Sequence, residues 1–431
     1  MSVRNCNYPW HSMTVTDRGE VLPCGHGSKP VGNLREQTPA EIWNGETMQA
    51  LRTSILSGRI HAVCKSCDCP YQQRHPASAS IEPRALIGDE LAEAFDEEWY
   101  LERYPDAAQT VRRLRFASGF EHYATQGQLE GREFQLRSRR ELPASAAVRN
   151  ANLALLERAR WATRLHSNPV DIVLQVATIS LPREAASPHA TAGAGHSRHM
   201  PLEIFERLLP FVATASRIVA SGLGEPFLAP VFWRLVQHCA DRDDLFIRAS
   251  SSAYLVSPDS ARRLLDSGLK EVCFSLDAAT PETYARLRGG NLLHSRRGIE
   301  AMCAERRTHR RRSLEIFIGM TLLRENIEEA AAFVELAAEL GVDGVVFSQF
   351  FLFGDHPVEA AERGGWPFAR AEQRISLVPE LAREHLDRAR ARALALGIAV
   401  QFQGNTHRYL SEPVTEVAAR EMLQPAAGCS A

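Results

Sequence analysis

Five of the nine cysteines fall within the first 69 residues: Cys6, Cys24, Cys64, Cys67 and Cys69. Seventeen residues separate Cys6 from Cys24, and 39 more lead to Cys64-Lys65-Ser66-Cys67. Thiolates are soft ligands, so a set of four suits tetrahedral zinc or a [4Fe–4S] cluster. In a CxxC pair, one tight turn brings both sulfurs to the same side of a single centre. The ligand set read here is Cys6, Cys24, Cys64 and Cys67, with Cys69 a bystander. Spacing alone leaves zinc and iron–sulfur both open.

The elements that must position these thiols are short. Ser12–Thr16 and Glu20–Leu22 flank Asp17-Arg18-Gly19 and predict a β-hairpin, with Cys6 before it and Cys24 after it. Thr38-Pro39-Ala40-Glu41 is a capping box with proline at the first helical position. The helix it opens is expected to run to about Leu56, burying Trp43, Met48, Leu51 and Ile55, and to stop at Gly58.

The rest of the chain has a different texture. Residues 73–88 have linker composition, 89–135 form an aromatic helical module, and 136–167 join that module to a longer region of alternating elements. Aromatics at helical spacing in the module read as its own small core, with His122 a satisfied core or surface histidine. From 168 to 405, apolar strand candidates alternate with amphipathic helices. The strands are Asp171–Ala177, Arg217–Ala220, Leu245–Ala249, Glu271–Ser275, Leu314–Met320, Val345–Gln349 and Ile398–Phe402. Such alternation predicts an α/β fold: a parallel sheet covered by helices, as in a partial (β/α)6-type barrel. Gly268 and Gly341 stand where helix C-caps belong, and 406–431 form a tail.

Composition narrows the function classes. Hydrophobic residues make up 45% and charged residues 24%, with a net charge of −2. That is ordinary globular composition. It argues against a broad cationic nucleic-acid surface, and the run Arg306–Arg312 reads as a solvated face. No apolar run is long enough to span a bilayer, and the N-terminus lacks a signal-peptide core. The expectation is a cytoplasmic protein with reduced thiols, where clustered cysteines mean metal.

Cys6-Asn7-Tyr8-Pro9-Trp10, Pro23-Cys24, Val31-Gly32-Asn33-Leu34, Glu41-Ile42-Trp43-Asn44, Leu51-Arg52 and Cys64-x-x-Cys67 resemble the SPASM region of radical SAM enzymes, in its shortened "twitch" form. Residues 1–72 are therefore read as a SPASM/twitch iron–sulfur domain. The resemblance implies one auxiliary [4Fe–4S] cluster on the four cysteines. Gly25 departs from the pattern, since many members carry a second consecutive cysteine there. The 89–135 module is similar to one that recurs in bacterial proteins, with no chemistry attached to it.

Residues 168–405 resemble the radical SAM partial barrel through Gly222-Leu223-Gly224-Glu225-Pro226, Ser275-Leu276-Asp277, Leu287-Arg288-Gly289-Gly290 and Glu325-Asn326-Ile327. The resemblance implies that Gly224, Glu225, Pro226, Ser275 and Asp277 face S-adenosylmethionine. One departure is decisive. The family needs three cysteines, usually CxxxCxxC, after its first strand; the best register here offers Ser180, Glu184 and Ser187. Hydroxyls and a carboxylate are hard ligands and poor replacements for thiolates. His189, His196 and His199 lie in or beside the same loop and read as loop residues rather than ligands. The family's Asn-Gly turn is replaced by Ser250-Ser251-Ser252.

In the family the auxiliary region follows its barrel, whereas here it precedes one. Cys429-Ser430-Ala431 resembles the start of another such region, as if the chain were a middle slice of a tandem protein. These readings predict an iron–sulfur protein whose barrel binds S-adenosylmethionine weakly and does not cleave it: a pseudoenzyme, scaffold or electron relay. Its expected partner is a flanking radical SAM half or a neighbouring maturation or biosynthetic protein. The alternatives are an active radical enzyme on a peptide, sugar or small molecule with partner-supplied ligands, and a zinc-stabilised binding protein.

Overall fold

The computed structural model describes residues 6, 8–24, 29–64, 95–113, 116–127, 130, 132–135, 145–159, 162–178, 198–221, 224–309, 313–350, 361–363, 366–368, 370–403 and 406–410. The chain divides into two compact units. One comprises Met1–Gln175, Met200–Val219 and Asp241–Ile247; the other comprises Val176–His199, Ala220–Ala240 and Arg248–Ala431.

The first unit opens with a short helix α1 (Tyr8–His11) and the strands β1 (Ser12–Val15), β2 (Glu20–Leu22) and β3 (Gly32–Asn33). The expected hairpin is present, Val15 facing Val21, and β3 adds a third antiparallel strand that sequence reading missed. Gly19 turns the hairpin at φ +81°, a conformation only glycine adopts freely. On its other edge β1 runs parallel to β4 (Asp171–Gln175), with Ser12 opposite Asp171 and Val15 opposite Leu174. The cysteine-bearing hairpin therefore extends the sheet that begins the barrel sequence.

The helix expected from Thr38 to Leu56 is two helices, α2 (Pro39–Trp43) and α3 (Glu46–Leu56). The capping box forms: Glu41 N donates to Thr38 Oγ1 at 3.3 Å, and Thr38 N donates to Glu41 Oε2 at 2.8 Å. The break has two causes. Asn44 spends its side chain on the Leu165 backbone, donating to its carbonyl and accepting from its amide, each at 2.8 Å. At Gly45 an added Cβ would lie 2.8 Å from the Glu41 carbonyl oxygen. Trp43, Met48, Leu51 and Ile55 are buried as expected, and Gly58 follows α3 at φ +70°.

The aromatic module contains α4 (Glu97–Arg103), α5 (Pro105–Arg112) and α6 (Gly119–His122). Phe95, Tyr100, Ala107, Phe120 and Tyr123 form its core. His122 is buried, with Nδ1 3.0 Å from the Tyr100 hydroxyl. Helix α7 (Ala146–Ala159) and α8 (Leu202–Val212) complete this unit among the described residues. Strands β5 (Arg217–Ser221) and β6 (Phe246–Ser251) begin in the first unit and end in the second.

In the second unit β6, β7 (Glu271–Ser275), β8 (Glu315–Leu322) and β9 (Gly344–Gln349) are parallel neighbours in that order. A separate antiparallel pair, β10 (Ala361–Arg363) and β11 (Trp366–Phe368), precedes β12 (Ala399–Gln403), which lies parallel to β9. All seven barrel strands fall within two residues of the bounds read from sequence. The helices between them are α9 (Pro230–His238), α10 (Pro258–Leu265), α11 (Pro281–Arg288), α12 (Leu292–Thr308), α13 (Ala330–Leu340) and α14 (Pro379–Leu396). This is an α/β fold with the parallel sheet of a partial (β/α) barrel. Gly341 caps α13 at φ +71°, as expected. Gly268 is not a cap: α10 ends on Asp266, and Gly268 instead lets the backbone pass Ala240, whose Cα an added Cβ would meet at 2.9 Å.

Candidate functional site

Strand alternation sorts the second unit's side chains onto two faces. Ala249, Phe274, Ile318, Val345 and Phe347 are fully buried on the face that helices cover, Phe347 meeting Phe333 of α13. The opposite, inner face is layered along the strands. At the N-terminal end Arg248 pairs with Glu271 at 2.9 Å. Above them Cys273, Phe317, Val346 and Ala399 pack as an apolar layer. An added Cβ on Gly344 would lie 2.5 Å from Phe317, so this glycine makes room for the ring. At the C-terminal end the inner face turns neutral and polar, with Ser275, Thr321, Ser348 and Gln403; Ser348 Oγ donates to Gln403 Oε1 at 3.3 Å.

Gly224, Glu225 and Pro226 stand at this C-terminal end. Gly224 N donates to the Ala177 carbonyl at 3.2 Å, just past β4. Glu225 is buried at 2% exposure. Its Oε2 accepts from Ser251 Oγ at 3.0 Å, Ser252 N at 3.1 Å and Ser252 Oγ at 2.9 Å. Its Oε1 accepts from Phe227 N at 3.4 Å and caps the turn Pro226–Leu228. Ser251 and Ser252 of the serine triplet are thus the clamp on this carboxylate. Sequence reading singled out both pieces without joining them, because side-chain partners across a strand leave no periodic signal.

Ser275 ends β7 and is half-buried. Asp277, two residues on, takes φ +61° and is 1% exposed. Its Oδ2 accepts from Arg288 Nε at 2.9 Å and Nη2 at 2.7 Å, and its Oδ1 accepts from Thr321 N at 2.7 Å. Asn326 donates to the carbonyls of Asp277 and Thr321, at 2.8 Å each. Asp277 is therefore fully engaged in holding β7, β8 and α11 together. Because β6 and β7 are neighbours, with Ser251 opposite Phe274, the Glu225 clamp and the Ser275–Asp277 turn stand side by side.

Cys273 and Cys303 are buried, and burial pushes both thiols up, Cys303 to about 11. Arg248 pulls Cys273 the other way without cancelling the effect of burial. His199 pairs by backbone with Ala177. Ser180, Glu184, Ser187, His189 and His196 lie outside the described residues, as do Cys67, Cys69 and Cys429.

The N-terminal thiols are carried by three different pieces of the first unit. Cys6 lies two residues before α1, Cys24 two residues after β2, and Cys64 closes the turn Ala62–Cys64; all three are half-buried. Arg52, wholly buried on α3, ties the α1 segment that follows Cys6 to α2 and to Thr163. It donates to the carbonyls of Pro9, Trp43 and Thr163, each at 2.8 Å. Burial lowers its guanidinium to about 10, although Glu157 pulls it up. Among the described residues, no three His, Cys, Asp or Glu side chains gather around a single-ion site.

A model of the SPASM iron–sulfur cluster-binding domain matches residues 6–69, and one of the radical SAM superfamily matches residues 185–337. The chain thus carries a SPASM-matching segment ahead of a segment that matches the radical SAM superfamily. It is similar to the AdoMet-dependent heme synthase of Methanosarcina barkeri, 28% identical over 31% of this chain and 36% of that protein. It is also similar to the mycofactocin maturase MftC of Mycobacterium ulcerans, 30% identical over 28% of this chain and 31% of that one. The chain thus spans about a third of the length of the curated relatives it matches. Among solved structures, Streptococcus suis SuiB bound to precursor peptide SuiA shares 14% identity at a TM-score of 0.44, over 66% of this chain and 61% of that one. No helix among the described residues is long and apolar enough to cross a membrane.

The donor set fits the iron–sulfur group that the SPASM segment implies. Cys6, Cys24 and Cys64 supply soft sulfur from half-buried positions, and the buried cation of Arg52 anchors the α1 segment next to Cys6. The barrel's C-terminal end offers only oxygen and nitrogen among its described side chains.

Proposed function

We propose that this chain holds one auxiliary [4Fe–4S] centre on Cys6, Cys24, Cys64 and Cys67, and that its barrel binds ligands without cleaving S-adenosylmethionine. It then acts as a pseudoenzyme, scaffold or electron relay, working with a flanking radical SAM half or a neighbouring maturation or biosynthetic protein. The observation that carries this reading is that no cysteine lies between Cys69 and Cys239. The loop after β4, where the family places three thiolates, contains none. The radical SAM match itself begins at residue 185, beyond β4, Ser180 and Glu184.

The N-terminal centre, when bound, supplies one-electron transfer. This chain's part is to hold it: α1, β2 and the Ala62–Cys64 turn present the thiols, and Arg52 fixes Pro9 of α1 to Trp43 of α2. In the barrel, Glu225 is locked by Ser251 and Ser252, and Asp277 by Arg288. Backbone carbonyls around Gly224–Pro226 and the Ser275 hydroxyl remain to meet S-adenosylmethionine. Without a cluster to chelate its amino and carboxylate groups, the dissociation constant should be no better than about millimolar, roughly −4 kcal/mol.

Anaerobic reconstitution tests the reading. Four irons per chain with no 5′-deoxyadenosine support it. Eight irons with turnover favour the second reading, an active enzyme, to which the matched synthase and maturase lend weight. Zinc without iron would leave a zinc-stabilised binding protein.

A further inference from the structure

Helix α7 lies outside the residues that the SPASM match covers, yet it packs against α1, two residues from Cys6. From α7, Arg158 places its guanidinium 4.6 Å over the ring of Trp10. Trp10 is 1% exposed, and its Nε1 donates to the Ala162 carbonyl at 2.7 Å, so the ring is a fixed platform. A cation over an indole face is held both by the ring's quadrupole and by its shape. Burial lowers that guanidinium below the usual arginine value, and Cys6, within its electrostatic reach, pulls it back only in part. An arginine keeps its charge at every pH at which the protein folds.

We propose that Arg158 is a second-layer cation for the N-terminal iron–sulfur centre, stacked on Trp10 beside the Cys6 ligand so as to raise the potential of that centre. The proposal rests on Cys6 being a ligand. An oxidised [4Fe–4S] centre with four thiolates is a dianion, and its reduced form is one charge more negative. A fixed positive charge in a half-buried setting stabilises the reduced form more, so it favours electron uptake. Net charge and neighbouring groups are the protein's means of setting such potentials. Arg158 is a positioning residue in this account; it accepts no electron and binds no iron. It ties the potential of the N-terminal centre to the α7 segment that leads into the barrel sequence.

The test is a potentiometric titration of the reconstituted full chain, read by the electron paramagnetic resonance signal of the reduced centre. Wild type is compared with Arg158→Lys, Arg158→Gln and Arg158→Met, with iron content and circular dichroism recorded for each. Loss of the charge should make the reduced-to-oxidised ratio at a fixed potential fall about tenfold in Arg158→Gln and Arg158→Met, about 59 mV for one electron. Arg158→Lys, which keeps the charge but not the flat stacking face, should change it less than twofold. If the neutral variants lose their iron while still folding, retention in Arg158→Lys supports the charge role equally. Should the neutral variants not fold, the lysine variant decides alone: a potential within twofold of wild type supports the proposal. Unchanged potentials in the neutral variants overturn it, and so does a lysine variant as impaired as they are. A wild-type chain that takes up no iron would instead sink the reading of the N-terminal centre.

Discussion

The two regions of this chain that match family models differ in the donors they present. The N-terminal segment has soft sulfur donors at Cys6, Cys24 and Cys64, with Arg52 bonded to Pro9 of α1 and Arg158 stacked over Trp10. At the barrel's C-terminal end the carboxylates of Glu225 and Asp277, among the described residues, are bonded to the protein itself: Glu225 to two serines, Asp277 to Arg288. Saturated carboxylates stabilise a fold but have nothing left for a ligand. The matched relatives name activities for whole proteins, of which this chain spans about a third.

The comparison breaks most completely at the thiols. Cys24→Ala or Cys64→Ala should abolish reconstituted iron and the absorbance near ~400 nm, because an open corner exposes the centre to solvent and oxidation. Cys69→Ala should leave both intact; equal loss there would overturn the ligand assignment. In the barrel the large effects should instead be on folding. Asp277→Ala strands the buried Arg288 guanidinium, 7% exposed, and should destabilise by about 3–5 kcal/mol in urea denaturation. Glu225→Ala removes the acceptor of three buried donors and should cost about 3 kcal/mol. A near-neutral result for either variant would mean that the carboxylate is reserved for a ligand.

A smaller effect concerns pH in the first unit, where β1 and β4 begin. Asp171 meets His11 at 3.4 Å and Arg217 at 3.8 Å. Burial alone would raise the Asp171 carboxyl, but Arg217 and His11 outweigh it and hold it at about 2, below its ordinary 3.8. A carboxyl whose folded value is depressed stabilises above its unfolded value and loses that as pH falls. Wild type should therefore exceed Asp171→Asn by about 2 kcal/mol above about pH 4, and the gap should close toward pH 2. His11 titrates the other way: burial lowers it, Asp171 raises it further, and its share fades as pH rises past its raised value. Glu121, held above the ordinary range by burial, faces the same group and is common to both proteins compared. A constant gap across the acid range would contradict this assignment.

Much of this architecture is legible in the sequence, for identifiable reasons. The strands β7, β8 and β9 announce themselves as short apolar runs between amphipathic helices, since burial on both faces leaves little choice of residue, while β4, β5 and β6 bury alternate residues. The hairpin and the Thr38 cap follow from local turn chemistry. What was illegible depends on partners distant in sequence. Asn44 breaks a helix because Leu165, 121 residues away, needs its side chain. Arg158 reaches Trp10, and Ser251 reaches Glu225, through packing that no spacing encodes. Gly268 reads as a cap by position but serves as a close approach to Ala240.

The central claim is that the N-terminal centre survives while the barrel has lost its chemistry. It is tested most directly by incubating the reconstituted, dithionite-reduced chain with S-adenosylmethionine and measuring 5′-deoxyadenosine by chromatography alongside iron content. The account predicts four irons per chain and no product above the buffer background. Product formed with eight irons per chain, and lost on substitution of Glu184, would contradict it.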